Sequence, residues 1–200
     1  MLRSSFTKTL IEAGCDEVGR GCLAGPVVAA AVIFPKKYRH KLLNDSKQLS
    51  RDEREALRLD IERDALAWAI AEVDHLEIDR INILNASFKA MHLALEKLSV
   101  EPELILVDGN RFKPYREIRH ECIIKGDGKF LAIAAASILA KTHRDRFMAN
   151  LSNQFEGYGW ATNVGYATLE HREAIKSLGI TPYHRRSFTL FPEQLELFEE

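Results

Sequence analysis

Asp16 and Glu17 are adjacent carboxylates, followed almost at once by a glycine–arginine–glycine turn, Gly19-Arg20-Gly21, with apolar residues on both sides. Two acids held side by side at the edge of a sheet repel each other unless something positive lies between them, and a divalent cation is the usual answer. Asp108 and Asp127 have a similar setting, each following an apolar run and standing beside glycine in Val107-Asp108-Gly109 and Gly126-Asp127-Gly128. In a mixed α/β sheet, side chains just past strand ends point into the ligand crevice, so the four carboxylates can converge from three strands. With no histidine or cysteine among them, the donors are hard oxygens, which suit Mg²⁺ or Mn²⁺ better than zinc. Two such ions about 4 Å apart clamp the attacking and leaving oxygens of a phosphodiester in line. A lone Asp-Gly pair is more often an ordinary turn; three acidic strand ends in one chain favour a metal centre.

The elements that must position these acids can be read from periodicity. Residues 10 to 18 form a strand, and Pro26–Phe34, a continuous run of Val, Ala and Ile, forms a second that pairs with it as an antiparallel hairpin. A basic loop, Pro35–Leu49, leads to Ser50, which with Glu53 makes a capping box for a helix running to about Asp64. Leu66–Val73 is a third strand. Residues 82 to 98 form one long amphipathic helix, with Ile83, Leu84, Phe88, Met91, Leu95 and Leu98 at helical spacing. Short buried strands follow at Leu104–Val107 and Arg119–Ile124, each ending at an acidic, glycine-flanked site. An alanine-rich helix begins at Leu131 and reaches about Met148. Residues 155 to 168 are a glycine- and aromatic-rich loop, Leu169–Leu178 a short helix, and the tail from Pro192 is helical. This order predicts an α/β domain with a mixed sheet flanked by helices. Asp127, in a glycine-flanked loop, is expected to become ordered only with metal and substrate.

Two hundred residues suffice for one domain, 1–200, in which about 150–200 form a C-terminal loop–helix extension and tail. With 46% hydrophobic residues the chain can bury a sizeable core, yet its longest apolar runs are too short to cross a bilayer. No apolar signal segment lies between Met1 and Gly14. Three cysteines without zinc-ligand spacing point to reduced thiols and a cytoplasmic protein. The net charge is −1, which by itself suggests no nucleic-acid partner. Basic residues nevertheless gather at Lys36–Lys47, at Lys141, Arg144 and Arg146, and at His184-Arg185-Arg186, as one phosphate-binding face would require.

The run Asp16-Glu17-Val18-Gly19-Arg20-Gly21, with Leu23-Ala24-Gly25-Pro26-Val27 after it, resembles ribonuclease HII. So do Asn44-Asp45-Ser46-Lys47-Gln48-Leu49-Ser50, Val107-Asp108-Gly109-Asn110, Lys125-Gly126-Asp127, Ala134–Lys141 and His184-Arg185-Arg186-Ser187-Phe188. These motifs keep the family's order from about Gly14 to Phe188. An arginine between the glycines and an acidic pair as early as residue 16 fit type HII better than type HIII. The resemblance implies a ribonuclease H-like five-stranded mixed sheet with a small helical C-terminal part. It implies a monomeric endonuclease that cuts the RNA strand of RNA–DNA hybrids and incises duplex DNA at embedded ribonucleotides, leaving 5′-phosphates. Carried over residue by residue, it makes Asp16, Glu17, Asp108 and Asp127 the ligands of Mn²⁺ or Mg²⁺. It makes Gly19, Arg20 and Gly21 the readers of the ribose 2′-hydroxyl, the group that distinguishes RNA from DNA at one sugar. Tyr166 would pack on the neighbouring deoxyribose, and Lys47, Lys141 and Arg186 would meet phosphates. The positions after Asp127, Gly128-Lys129-Phe130, depart from the serines common in relatives.

The acids alone leave open another metal-dependent nuclease or phosphatase, or a binding module without catalysis. The tail adds a further expectation. Gln194-Leu195-Glu196-Leu197-Phe198 resembles the short peptides by which bacterial replication and repair proteins dock on the sliding clamp. Leu195, Leu197 and Phe198 would fill apolar pockets while the Gln194 amide fixes register. The competing reading is an amphipathic segment that covers the protein's own core.

Overall fold

The computed structural model describes residues 2–43 and 49–191. Lys47 and the candidate clamp residues Gln194, Leu195, Leu197 and Phe198 lie outside the described residues.

Five strands form one mixed sheet: β1 (Glu12–Val18), β2 (Val27–Ile33), β3 (Ala67–Val73), β4 (Leu104–Asp108) and β5 (Arg119–Ile123), in the order β3-β2-β1-β4-β5. The first three pair antiparallel, as a hairpin and its extension, whereas β4 and β5 run parallel to β1. Every residue of β2 is buried, because helices cover both faces of the sheet. On one face α3 (Ile83–Glu96) packs with Ala86, Ala90, Met91, Ala94 and Leu95 against Ala13, Cys15, Val27, Ala29 and Ala31. On the other, α4 (Leu131–Ser152) lays its alanines against Val28, Ala30 and Val32, and α1 (Arg51–Asp64) joins through Leu57 and Ile61. Small residues on both sides let helix and sheet approach closely, and close packing of many such contacts stabilises the layers.

The capping box at the start of α1 forms as the sequence predicts. The Ser50 hydroxyl accepts from the Glu53 N–H at 3.2 Å, and the Glu53 carboxylate accepts from the Ser50 N–H at 2.7 Å. Helix α6 occupies the expected Leu169–Leu178, capped by Thr168. Other elements differ. A seven-residue helix, α2 (His75–Ile81), precedes the long one, and the chain breaks at Asn82, whose φ of 66° no helix accommodates. The Asn82 side chain then caps α3 by accepting from the Asn85 N–H. Periodicity could not reveal α2, since Ile78 is its only buried residue. Half of the buried stripe of α3 is alanine, Ala86, Ala90 and Ala94, while Leu84 and Phe88 stay half-buried on its flank. Helix α4 runs one turn past Met148, and the aromatic loop contains a short helix, α5 (Trp160–Asn163).

A satellite core joins the C-terminal part to the rest. Met148 and Leu151 of α4, Trp160, Tyr158, Ala174 and Ile175 enclose Leu23 and Ala24 from the glycine-rich loop that follows β1. No helix among the described residues is long and apolar enough to cross a membrane.

The sheet and α4 approach closely at Gly14, where an added β-carbon would land on the backbone of Ala132 and Ile133 at the start of α4. Gly14→Ala is therefore expected to lower the unfolding free energy by on the order of 3 kcal/mol, the cost of overpacking against backbone. Gly128→Ala, which opens onto free space, is expected to stay within about 0.5 kcal/mol of wild type. Urea titrations of the two variants provide the comparison; equal stability would mean that α4 does not need the close approach.

Candidate active site

Parallel pairing of β1 and β4 aligns Cys15 with Val107. The next residue along each strand is an acid, so Asp16 and Asp108 stand side by side at the carboxyl edge of the sheet. Glu17 follows at the same edge. Because successive side chains on a strand point to opposite faces, Asp16 turns towards α4 and Glu17 towards α3. The Ser137 hydroxyl of α4 bonds Asp16, and the Glu17 N–H donates to Asp16 Oδ1 at 2.7 Å.

The edge separates two cavities that share Glu17, Arg20 and Asp108. On the α4 side the walls are Asp16, the Gly19–Gly21 turn, Arg54, Ser137, Lys141 and Tyr166. On the α3 side they are Leu84, Ser87, Phe88, Met91 and residues 109–111. Together they make a groove across the carboxyl ends of the strands, where ligands of open α/β sheets bind.

The acids repel. Burial, then the neighbouring charges of Glu17 and Asp108, push the Asp16 carboxyl well above its ordinary range, although Ser137 works the other way. Glu17 is also raised, mainly by burial, despite the Arg20 guanidinium 3.0 Å away. The donor set is all oxygen, and such a cluster gains from a hard divalent cation. Among the described residues no three acidic, histidine or cysteine groups are drawn tightly enough to encircle an ion; the positive charge beside Glu17 belongs to Arg20.

Asp127 occupies a different position from its three companions. It is ordered, not loose: a single 3₁₀ turn over Gly126–Gly128 leaves it 3% exposed, and its carboxylate accepts from the Gly128 N–H at 3.0 Å. It does not line the cavity that Asp16, Glu17 and Asp108 share. The turn is tied to the site through the Gly126 N–H, which donates to Asp108 Oδ1 at 2.6 Å.

The glycine turn is shaped by charges that the sequence shows as surface residues. Arg144 and Arg185, counted above within a basic face, are both fully buried. Arg144 donates to the carbonyls of Ala24, Pro26 and Val164 at 2.7–3.0 Å. Arg185 donates to those of Gly25 and Arg20 at 3.0 and 3.1 Å. Gly19 and Gly25 adopt φ of 92° and 79°, and a β-carbon on Gly19 would strike Arg144. Gly21 is different: nothing lies within 4 Å of the place its β-carbon would take. The signal for Arg144 was present in the sequence, since it continues the i, i+4 row Ala136, Ala140, Arg144, Met148, all of them buried.

Lys141 reaches the cavity wall and is held by Asp145, 2.6 Å away. Asp145 also pairs with Arg54 at 3.5 Å, so with Arg20 the wall carries three cations, of which the sequence suggested Arg20 and Lys141. Tyr166 lines the same cavity, 39% exposed, its backbone bridged to Cys22. Arg186 is not in the cavity; its N–H, with that of Ser187, donates to Asp79 of α2.

A family model described as Ribonuclease HII matches residues 13–191. The chain is 62% identical to the ribonuclease HII of Parabacteroides distasonis, over 94% of each chain. It is 59% identical to that of Bacteroides fragilis, over the whole of both. Among solved structures it superposes on the ribonuclease H2 from Pyrococcus horikoshii with a TM-score of 0.75 and 28% identity, covering 90% of this chain and 94% of that one. The PCNA:RNase HII complex from Archaeoglobus fulgidus gives the same TM-score at 29% identity, over 93% and 98%.

The raised Asp16 pKa carries a sign that can be measured without any assay of activity. A carboxyl that holds its proton more tightly when folded gives stability present below its ordinary value of 3.8 and lost as pH rises through the raised value. In chelator, Asp16→Asn is therefore expected to melt higher than wild type at neutral pH, with the difference shrinking as pH falls towards 3.8. A variant that melts lower at every pH would show that the repulsion does not weaken the fold.

Proposed function

The chain belongs to the ribonuclease HII family and is an endoribonuclease acting on the RNA strand of RNA–DNA hybrids, and on that premise we propose which of its residues do what. The family depends on divalent metal. Asp16, Glu17, Asp108 and Asp127 are the groups to hold it, and the all-oxygen set suits Mg²⁺ or Mn²⁺. When bound, the ions supply the charge that activates water and neutralises the leaving oxygen. The observation that carries the reading is the meeting of Asp16, Glu17 and Asp108 with the glycine turn and Tyr166 around one cavity.

Each remaining residue has a task that its placement supports. The open space at Gly21 lets a sugar come against backbone, and the Gly19–Gly21 turn reads the ribose 2′-hydroxyl there. Tyr166 presents its ring to the adjoining deoxyribose, which extends the activity to single ribonucleotides within duplex DNA. Lys141 and Arg54, oriented by Asp145, meet a phosphate of the scissile strand. Arg20, paired with Glu17 and 52% exposed at its side chain, would be available to a substrate phosphate if a divalent cation supplied the positive charge beside Glu17. Arg186 and Lys47 remain as more distant phosphate contacts. Three cysteines outside any disulfide fit the reducing cytoplasm.

A second reading concerns the tail. The Archaeoglobus neighbour was solved in complex with PCNA, and this supports docking of Gln194, Leu195, Leu197 and Phe198 on a replication clamp. Such a tether would raise local concentration on newly made DNA.

Three duplexes separate the alternatives: an RNA–DNA hybrid, a DNA duplex with one ribonucleotide, and all-DNA. With Mn²⁺ or Mg²⁺ the first two are expected to be cut and the third left whole. Asp108→Asn keeps an oxygen to accept from the Gly126 N–H, yet is expected to reduce turnover roughly a hundredfold to a thousandfold, as loss of a charge-stabilising group does; near-normal turnover would remove Asp108 from the machinery. Tyr166→Ala should lower single-ribonucleotide incision more than duplex affinity, and equal losses would point to packing. For the tail, a peptide of residues 190–200 is expected to bind a bacterial clamp, and deletion of 194–200 to abolish clamp binding while short substrates are still cut.

A further inference from the structure

Behind Tyr166 lies a closed set of polar side chains that the reaction itself does not use. His171, on the first turn of α6, is fully buried, as are Trp160 of α5 and His184 of the C-terminal segment. His171 Nδ1 lies 2.8 Å from the Tyr166 carbonyl oxygen. Its Nε2 lies 2.9 Å from Trp160 Nε1 and 3.2 Å from His184 Nε2. His184 Nδ1 in turn faces the Thr181 N–H and hydroxyl, both at 2.9 Å.

One proton arrangement sets a donor against an acceptor at each of these contacts, with the single lone pair of His171 Nε2 shared between two N–H groups. An indole nitrogen can only donate, so His171 Nε2 accepts from Trp160. His171 must then carry its proton on Nδ1, from which it donates to the Tyr166 carbonyl. His184 Nδ1 accepts from the Thr181 N–H, which leaves its proton on Nε2, donated to His171. Both rings are neutral in this scheme. Burial favours that: it lowers His171, and with the proximity of His171 it brings His184 down to about 4.

The Tyr166 backbone is held on its other sides as well. Its N–H donates to the Asn163 carbonyl at 2.9 Å, and its carbonyl also accepts from the Thr168 N–H at 2.8 Å. The ring is the part left facing the cavity.

We infer that His171 is a positioning residue for Tyr166: oriented by Trp160 and His184, it fixes the Tyr166 carbonyl and so aims the ring at the sugar next to the cut. The inference rests on the assignment of Tyr166 proposed above. It also gives His184 a role its basic neighbours obscure, as the far end of a hydrogen-bond relay and not a phosphate ligand.

Two measurements test it. Nitrogen-15 NMR of the wild-type protein at neutral pH is expected to find His171 protonated on Nδ1 and His184 on Nε2; the opposite tautomer of His171, or a charged ring, would overturn the relay whatever the activity. In kinetics, His171→Leu is expected to lower kcat for single-ribonucleotide incision roughly tenfold, the effect of losing a buried hydrogen bond, with a smaller loss on a long RNA–DNA hybrid. His171→Asn, which keeps a donor near the Nδ1 position, should recover most of it. In a Tyr166→Ala background the His171→Leu loss should vanish. Equal losses on both substrates, no recovery by Asn, or fully additive losses would leave His171 a packing residue and overturn the inference. If Tyr166→Ala alone left single-ribonucleotide incision unchanged, the assignment of Tyr166 would fall first, and the inference with it.

Discussion

Two guanidiniums, buried with no carboxylate salt-bridge partner among the described residues, hold one side of this molecule in shape. Removing an ion from water costs several kcal/mol even after relaxation, unless hydrogen bonds replace its hydration. Arg144 and Arg185 find those bonds in the carbonyls of one loop and its neighbours, from Arg20 to Pro26 and at Val164. The dependence is mutual. The loop carries positive-φ glycines and is held by backbone hydrogen bonds to Gly165, Tyr183 and Arg185 as well as by the two cations; the cations are tolerable because the loop folds around them. Burial brings the Arg185 guanidinium down to about 10, which still leaves it charged at neutral pH.

At the sheet edge the electrostatics are reversed. There the fold brings three carboxyl groups, Asp16, Glu17 and Asp108, to one place, and burial with mutual repulsion raises Asp16 and Glu17. Cations lie near, with Arg20 on Glu17 and with Lys141 and Arg54 on Asp145, and the single carboxylate of Asp145 holds those two towards itself and away from the acids. A site arranged in this way is unstable on its own and favourable to a hard cation. The alanine interior behind it supplies the stability that the edge gives up.

Much of this was legible in the chain. Apolar runs gave the strands, since β2 is continuous Val, Ala and Ile and ends up buried on both faces. Ser50 and Glu53 announced α1, and Asp16 and Asp108 read as strand-end acids because the apolar runs stop at them. Local rules fail where tertiary contact decides. α2 has a single inward residue and so no period to detect. Arg185 reads as surface charge, since only the three-dimensional fold brings carbonyls around it, whereas Arg144 lies on the buried i, i+4 row of α4. Asp127 looked like a loop residue because three residues of 3₁₀ turn between glycines leave no pattern; its order comes from the Gly126 bond to Asp108 and from burial beneath α4.

The distance along the chain between Arg185 and Gly25, 160 residues, has a bearing on how the enzyme comes into being on the ribosome. All five strands and the first four helices are complete by Ser152, so a nascent chain of that length already holds the sheet and its acidic edge. It lacks Arg185, Tyr166 and the histidine pair. Closing so long a loop costs entropy that only the finished satellite core repays. The sheet can therefore form early, while the packing of Arg185 and Tyr166 beside the glycine turn is completed only as synthesis nears its end. Unfinished or truncated chains would carry the acids and the glycine turn without the buried Arg185 and the Tyr166 that pack beside that turn.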